Sequence, residues 1–123
     1  MDLTQAQIRA IKAKKQGNKW SIKIPLDHQT VKLLENNEGL YELLNKDGKR
    51  IYIGSSNILR HRLESYKELD DPKVHPTKVE VRKEAMFFRF KYLPIDKARI
   101  QEQRIKQSLP LNMDNHRNEQ RRK

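Results

Sequence analysis

Four side chains of this sequence have the types and the placement to act on a charged substrate. Tyr41 and Tyr52 lie in two short apolar segments, Arg62 lies in the helical segment that follows, and Glu102 lies in a later one. A phenol can donate or accept a hydrogen bond, a guanidinium can bind an anion, and a carboxylate can bind a hard cation. The elements that carry them decide whether the four can meet.

The two tyrosines belong to a predicted β-hairpin. The segments GLYELL and RIYIGS are joined by NKDGK, in which Asp47-Gly48 supplies the positive φ of a tight turn. Side chains alternate along a strand, so one pairing register places Tyr41 and Tyr52 on the same side of the sheet. Gly54 would leave room on that side for a ligand or a backbone segment. Plain packing remains the alternative for each tyrosine alone.

Two charged residues occupy positions where apolar side chains are expected. At about 100° per residue, Arg62 falls between Ile58 and Tyr66 on the apolar arc of its helix, and Glu102 falls beside Ala98 on the stripe of the later helix. A lone buried charge costs several kcal/mol unless it is paired or binds a metal. The pair therefore either forms a salt bridge that closes the core or lines a shared site.

Helix and turn signals define the other elements. The sequence predicts a basic helix over residues 3–15 that ends at Gly17, and a half-buried strand at WSIKIP. After the two hairpin strands, it predicts a third strand over residues 86–93. It also predicts three further helices: one capped by Asp27 or Thr30 that ends at Leu34, one capped by Ser56 or Asn57 that ends near Tyr66, and one over residues 96–109 that Pro110 terminates.

Charge is the strongest compositional signal. The chain has 123 residues, with Lys+Arg 27 against Asp+Glu 16 and a formal net charge of +11. This length suits one domain with extensions, and the charge favours a polyanionic partner, above all nucleic acid. An anionic membrane is the weaker alternative.

The residues that are missing exclude several classes of chemistry. There is no cysteine, so disulfides, thiolate metal sites and cysteine nucleophiles are excluded. The four histidines are scattered without the spacing of a zinc site. No apolar run approaches the roughly 20 residues of a membrane span, and the start lacks a secretory signal, so we expect an intracellular protein without a membrane partner.

Taken together, these residues resemble the GIY-YIG nuclease superfamily. The first signature corresponds to Gly39-Leu40-Tyr41 and the second to Tyr52-Ile53-Gly54, and the family's arginine and glutamate match Arg62 and Glu102. The usual proline and asparagine correspond to Pro110 and Asn112. The resemblance implies a small α/β (α+β) fold, with a three-stranded antiparallel sheet flanked by helices.

The resemblance also implies a reaction and a role for each residue. Members cut DNA as metal-dependent endonucleases, so Glu102 would hold one Mg²⁺ (or Mn²⁺) and Arg62 would bind the scissile phosphate. Tyr41 or Tyr52 would act as general base or hydrogen-bond the attacking water. Supporting positions would be Gly54, Ser55, Tyr66 and Asn112. No organic cofactor is implied. Phosphate attraction would come from basic residues, namely Lys12, Lys14, Lys15, Arg60, Arg89, Arg121 and Arg122.

Two departures favour restriction or homing members over the excision-repair incision nucleases. Ser55 stands where that repair branch carries a lysine, and the spacing from Glu102 to Pro110 is one residue shorter. The predicted organisation is an N-terminal basic helix-strand-helix extension over residues 1–38, a nuclease domain over 39–112 and a basic tail over 113–123. A homodimer would pair two single-cut sites to break both strands.

Two other functions stay open at the level of sequence. One is a nucleic-acid-binding protein that keeps the fold without catalysis, and the other is a nuclease that acts on RNA or branched DNA. The complete set of four residues argues against a pure binder, because such a protein gains nothing from a carboxylate directed at phosphate.

Overall fold

The structure, a computed structural model, describes residues 3–66 and 83–108. Its elements in chain order are α1 (Gln5–Lys12), β1 (Ile24–Pro25), α2 (His28–Val31), β2 (Gly39–Leu44), β3 (Arg50–Ser56), α3 (Leu59–Glu64), β4 (Phe87–Tyr92) and α4 (Ile95–Ser108). The predicted loop over residues 67–80 and the basic tail lie outside the described residues.

The hairpin formed by β2 and β3 sits at one side of the sheet. Its turn has Gly48 at φ 79°, and the Asn45 side chain accepts hydrogen bonds from the backbone N–H groups of Asp47 and Lys49, both at 3.0 Å. Positive φ is inexpensive for glycine, and an Asn side chain that satisfies turn amides is a common turn device. The predicted hairpin is therefore confirmed.

The sheet has four antiparallel strands in the order β1-β4-β2-β3, so the prediction of three strands was wrong by one. The extra strand is the remnant of the predicted WSIKIP strand, reduced to Ile24–Pro25. The chain before it follows the edge of β4 through single hydrogen bonds, such as Ser21 N to Phe90 O at 2.9 Å. Proline cannot donate a ladder hydrogen bond, which limits β1 to the edge of the sheet.

Helices cover both faces of the sheet. Residues of α1, α2 and α3, including Ile11, Val31 and Leu63, pack with Phe88 and Phe90 of β4 in the main core. On the opposite face, Ala98 of α4 packs in a smaller cluster that also contains Leu40, Ile53 and Leu93. The α+β layered arrangement of helices around an antiparallel sheet agrees with the predicted fold class.

Helix ends differ from the sequence predictions by a few residues. Helix α1 ends at Lys12 rather than near residue 15, and α2 ends at Val31 rather than Leu34. Asp27 caps α2 as predicted, through hydrogen bonds from the N–H groups of Gln29 and Thr30. Helix α3 begins after Ile58, which has no side-chain cap, although the Ser56 hydroxyl accepts from the Ile58 N–H at 3.0 Å.

The N-terminal segment shares the core of the sheet. Ile11 of α1 is 2% exposed within the main core, and the backbone N–H of Gly17 donates to the Tyr92 carbonyl at 3.1 Å. The segment therefore contributes to the stability of the same packed unit. Within the described ranges, no helix is long and apolar enough to cross a membrane.

This packing makes a testable prediction. Replacing Ile11 by Ala should lower the free energy of unfolding by about 2–5 kcal/mol, because it leaves a cavity in the main core. Ile22→Ala is the matched control, since Ile22 is 39% exposed, and it should cost less than about 1 kcal/mol. Urea unfolding of both variants measures the difference. Equal, small effects would show that the N-terminal segment does not pack on the sheet.

Candidate active site

The β2–β3 register brings the two hairpin phenols to one face of the sheet. Tyr41 pairs with Gly54, and Leu43 pairs with Tyr52, so all four residues share that face. The rings of Tyr41 and Tyr52 stack with centroids 6.2 Å apart. The predicted same-side placement of the phenols is confirmed.

Gly54 makes space for a neighbour in its own sheet. A Cβ atom at this position would lie 2.7 Å from the Tyr41 hydroxyl oxygen and 2.8 Å from its Cζ. Any larger residue would therefore push the Tyr41 ring out of place. The room that the sequence suggested for a ligand or a backbone segment is filled by Tyr41.

Tyr66 completes a cluster of three phenols. It follows α3 and is 1% exposed, and its hydroxyl lies 2.9 Å from the Tyr41 hydroxyl, at hydrogen-bond distance. Its ring meets those of Tyr41 and Tyr52 edge-on, at 6.2 and 6.3 Å between centroids. We call Tyr41, Tyr52 and Tyr66 the phenol cluster. Tyr52 is its partly exposed member.

Burial controls the ionisation of two of the three phenols. Burial raises the pKa of Tyr41 well above its ordinary value of 10.0, and the neighbouring Tyr52 phenol adds to the rise. Burial likewise raises the pKa of Tyr66, with Tyr41 and Tyr52 contributing in the same direction. The positive charge of Arg62 opposes both rises without overcoming them. Tyr41 and Tyr66 are therefore neutral hydrogen-bonding groups near neutral pH.

Arg62 lies on the solvent side of α3, so the prediction that it interrupts a buried arc was wrong. Ile58, which was used to define that arc, is 41% exposed and precedes the helix, whereas Leu59 and Leu63 are both fully buried. The helix therefore presents a different stripe to the core. Arg62 is still close enough to the phenol cluster to influence the pKa values of Tyr41 and Tyr66.

Glu102 reaches β3 from the opposite face of the sheet. Its Oε1 accepts a hydrogen bond from the Ser55 hydroxyl at 2.5 Å, and its Oε2 lies 2.7 Å from the Lys106 ammonium one helical turn later. The Glu102 side chain is 17% exposed. Within the described residues, Glu102 and Arg62 do not pair, which excludes the alternative of a core-closing salt bridge between them. The i,i+4 spacing of Glu102 and Lys106 was the signal that could have predicted this ion pair.

The two faces meet at the outer strand of the sheet. Tyr41 packs against Gly54, and Glu102 binds Ser55, the next residue of β3. Consecutive Cα atoms are about 3.8 Å apart. The phenol cluster and the carboxylate thus border adjacent residues of one strand.

Comparison with known proteins shows the family of the chain. A family model described as the GIY-YIG catalytic domain matches residues 37–115, more than half of the chain. The chain belongs to the GIY-YIG family. Membership of this family indicates an endonuclease. No curated protein shows significant sequence similarity to the chain.

Solved structures support the same assignment. Two crystal structures of the GIY-YIG N-terminal endonuclease domain of UvrC from Thermotoga maritima are similar to the chain. A point mutant bound to its catalytic divalent cation is 28% identical over 61% of this chain and 79% of that chain, with a TM-score of 0.52. The magnesium-bound form is 28% identical over 61% and 80%, with a TM-score of 0.51. The expected kinship with restriction and homing members stays a prediction.

The donor set of this GIY-YIG site fits a hard cation. Among residues 3–66 and 83–108, no group of three or more His, Cys, Asp or Glu side chains converges. The site instead offers one carboxylate, from Glu102, beside the Ser55 hydroxyl. Magnesium commonly binds through one or two carboxylates and retains several waters. Oxygen donors of this kind suit such an ion.

The structure distributes the other predicted site residues over the GIY-YIG domain and its N-terminal segment. Lys12 ends α1, and Lys14 and Lys15 follow it. Arg60 on α3 forms an ion pair with Glu64 at 3.5 Å. Asn112, Arg121 and Arg122 lie outside the described residues. All of these roles stay predictions.

A buried ionic network on the α4 face was missed by sequence reasoning. Glu42 is 2% exposed, and its carboxylate lies 2.6 Å from Arg50 Nε and 3.7 Å from Arg89 Nη1. Beside it, burial lowers the pKa of Lys91, whose ammonium donates to Gln101 Oε1 at 3.1 Å. The signal was strand alternation, which places Glu42 opposite the Tyr41 face. Arg89, predicted to bind DNA, is at least partly committed to Glu42.

The raised pKa values make the stability of this GIY-YIG domain sensitive to alkali. Above about pH 10 the unfolded chain releases the phenolic protons that the folded chain keeps, so the free energy of unfolding falls as pH rises. Tyr41→Phe removes one such group. The free energy of unfolding of the variant should therefore fall less steeply with pH than that of the wild type. The two slopes should differ by up to about 1.4 kcal/mol per pH unit.

Urea unfolding of both proteins from pH 7 to 11.5 measures this difference. Below about pH 9 the two curves should run parallel, with the variant lower by about 1 kcal/mol because Tyr66 loses its hydrogen-bond partner. Curves that remain parallel up to pH 11.5 would contradict a raised pKa at Tyr41.

Proposed function

We propose that this protein is a divalent-metal-dependent endonuclease that hydrolyses phosphodiester bonds of DNA. The observation that carries the proposal is the meeting of the phenol cluster and Glu102 at Gly54 and Ser55 of β3. The family assignment and the magnesium-bound UvrC domain support it. The net charge of +11 suits a polyanionic substrate.

Glu102 is the residue that would hold the cation, Mg²⁺ or Mn²⁺. The Lys106 ammonium now neutralises one oxygen of its carboxylate, and Ser55 donates to the other. A divalent ion would replace the Lys106 contact with a stronger one and retain water in its remaining positions. When bound, the ion supplies positive charge that stabilises the scissile phosphate and the leaving oxygen.

Arg62 would bind the scissile phosphate. It is exposed on α3, and no ion pair engages it within the described part of the chain. A guanidinium can hold two phosphate oxygens at once, and its charge opposes the negative charge that develops during hydrolysis. Its proximity to the phenol cluster brings the bound phosphate to the site of attack.

Tyr52 is the phenol best placed to orient the attacking water. Tyr41 and Tyr66 are almost fully buried and hydrogen-bond each other, whereas Tyr52 is partly exposed. The water oxygen forms a new bond to phosphorus as the ester P–O bond breaks; the water releases one proton to solvent, and the leaving oxygen takes up one proton from solvent. The two neutral buried phenols pack against the Tyr52 ring and hold it in one orientation. Less conformational entropy is therefore lost when the reaction occurs.

A plasmid assay tests the proposed reaction. Wild type and Glu102→Gln are compared on supercoiled DNA with Mg²⁺, with EDTA as a control and DNA binding measured in parallel. Loss of the metal ligand should reduce the cleavage rate at least about 100-fold, which corresponds to about 2.7 kcal/mol of transition-state stabilisation. DNA binding should persist.

Asp96→Asn is the matched control for this assay. Asp96 is an exposed carboxylate in the first turn of the same helix, so its loss should leave cleavage near the wild-type rate. If wild type binds DNA but cuts neither linear nor branched DNA nor RNA, the non-catalytic binding protein becomes the better description.

The two hairpin tyrosines should differ in their effects on turnover. Tyr52→Phe should lower the single-turnover cleavage rate by about 10²-fold or more, because it removes the hydroxyl that orients the water. Tyr41→Phe should lower it by roughly tenfold, since it removes only a hydrogen bond behind that ring. Single-turnover kinetics at saturating Mg²⁺ compares them. A larger loss from Tyr41→Phe would assign the water to Tyr41 instead.

A further inference from the structure

A polar cleft lies between the N-terminal segment and the start of the catalytic domain. It has a volume of about 690 Å³ and is lined by lysines and carboxamides, among them Lys12, Lys15, Gln16, Asn37 and Asn57. We call it the lysine cleft. Its size lies within the range of small-molecule sites, and its lining matches the groups that proteins use for phosphates and base edges.

Both walls of the lysine cleft are attached to the core. On one side, Gly17 N–H donates to the Tyr92 carbonyl at 3.1 Å, just after the lysines. On the other, the Asn37 carbonyl accepts from Leu59 N–H at 2.9 Å, and the Asn36 side chain accepts from His61 N–H at 3.2 Å. The cleft is therefore held by β4, which pairs with the hairpin strand β2, and by α3, which carries Arg62.

The acidic residues at the cleft are already engaged. Glu38 Oε1 accepts from the Ile95 N–H at 2.7 Å, and Glu35 Oε2 accepts from the Asn37 side chain at 2.9 Å. Lys12 and Lys15 are exposed, and within residues 3–66 and 83–108 no carboxylate pairs with them. With Lys14, the cleft lining has three lysines against the carboxylates of Glu35 and Glu38, a net positive charge next to hydrogen-bonding amides, which favours an anionic ligand that carries polar edges.

The lysine cleft lies close to the proposed phosphate-binding arginine. Asn57 immediately precedes Ile58, whose carbonyl accepts from the Arg62 N–H at 2.9 Å. Asn57 lies two residues before the start of α3, so the cleft borders the N-terminal end of the helix that carries Arg62.

We propose that the lysine cleft binds the DNA strand to one side of the scissile phosphate. The lysines would hold phosphates, and the carboxamides of Gln16 and Asn57 would contact base edges and bias the choice of cut site. This inference rests on the proposed nuclease function. It assigns substrate selection to residues that come largely from outside the matched family region.

Binding measurements test the lysines independently of cleavage. The double variant Lys12→Gln, Lys15→Gln is prepared in the full chain carrying Glu102→Gln, and its affinity for a DNA duplex is measured by fluorescence anisotropy over a range of salt. Loss of two phosphate contacts should weaken binding roughly tenfold near 0.1 M salt. It should also lower the slope of log Kd against log salt concentration by about 1.8.

The matched control removes two lysines from the far end of the hairpin. Lys46→Gln, Lys49→Gln makes the same charge change at exposed positions of the β2–β3 turn, beyond the opposite end of β2 from the cleft. Its effect on Kd should be less than twofold. Equal losses in the two double variants would attribute binding to overall charge and overturn the proposal, as would no loss in either.

Cut-site mapping tests the carboxamides. Gln16→Ala, Asn57→Ala should redistribute cleavage among sites on a mixed-sequence duplex, whereas Gln29→Ala on the exposed face of α2 should not. An unchanged distribution would overturn base readout by the cleft. If wild type fails to cut while the cleft variants alone lose affinity, the nuclease proposal fails and the cleft remains a DNA-binding site.

Discussion

The pairing register of β2 with β3 is the constraint on which the rest of the site depends. Opposite Tyr41 stands Gly54, the residue without a side chain that lets a phenol lie flat across the strand. Side chains alternate with a period of two, so a slip of one residue would turn Tyr41 towards α4 and carry Glu42 into the main core. The hydrogen-bonded Asn45–Gly48 turn joins the two strands in this register.

From this register follows the separation of two chemical environments by a single strand. One face of β3 borders neutral, desolvated phenols, and the other borders charged groups whose carboxylates are each paired with a cation. The strand keeps the phenols, which order water, apart from the charged groups. The two sets nevertheless border Gly54 and Ser55, which are consecutive in sequence.

Local signals predicted the parts of the fold that depend on neighbours in sequence. The hairpin, its turn, the shared face of Tyr41 and Tyr52 and the capping of α2 by Asp27 followed from strand alternation, a glycine turn and a cap residue. The position of Glu102 near the hairpin came from the family resemblance. The local features depend mainly on residues that are close to one another in sequence.

Tertiary packing decided the features that sequence reasoning missed or placed wrongly. The fourth strand exists because the N-terminal segment pairs with β4, more than sixty residues later. Ile58 looked like a core residue by periodicity, but the start of α3 left it exposed and moved Arg62 to the solvent side. The network around Glu42 depends on Arg89 from a distant strand. A helical wheel contains no information about such partners.

The N-terminal segment has a role that its charge alone does not reveal. It occupies the edge of β4 through the Ile24–Pro25 pairing and the contacts of Gly17 and Ser21. An uncovered edge strand offers its backbone to the same strand of another molecule and promotes aggregation. A fragment trimmed to the matched family region would expose this edge. The N-terminal segment therefore shields this edge of the sheet from pairing with another molecule.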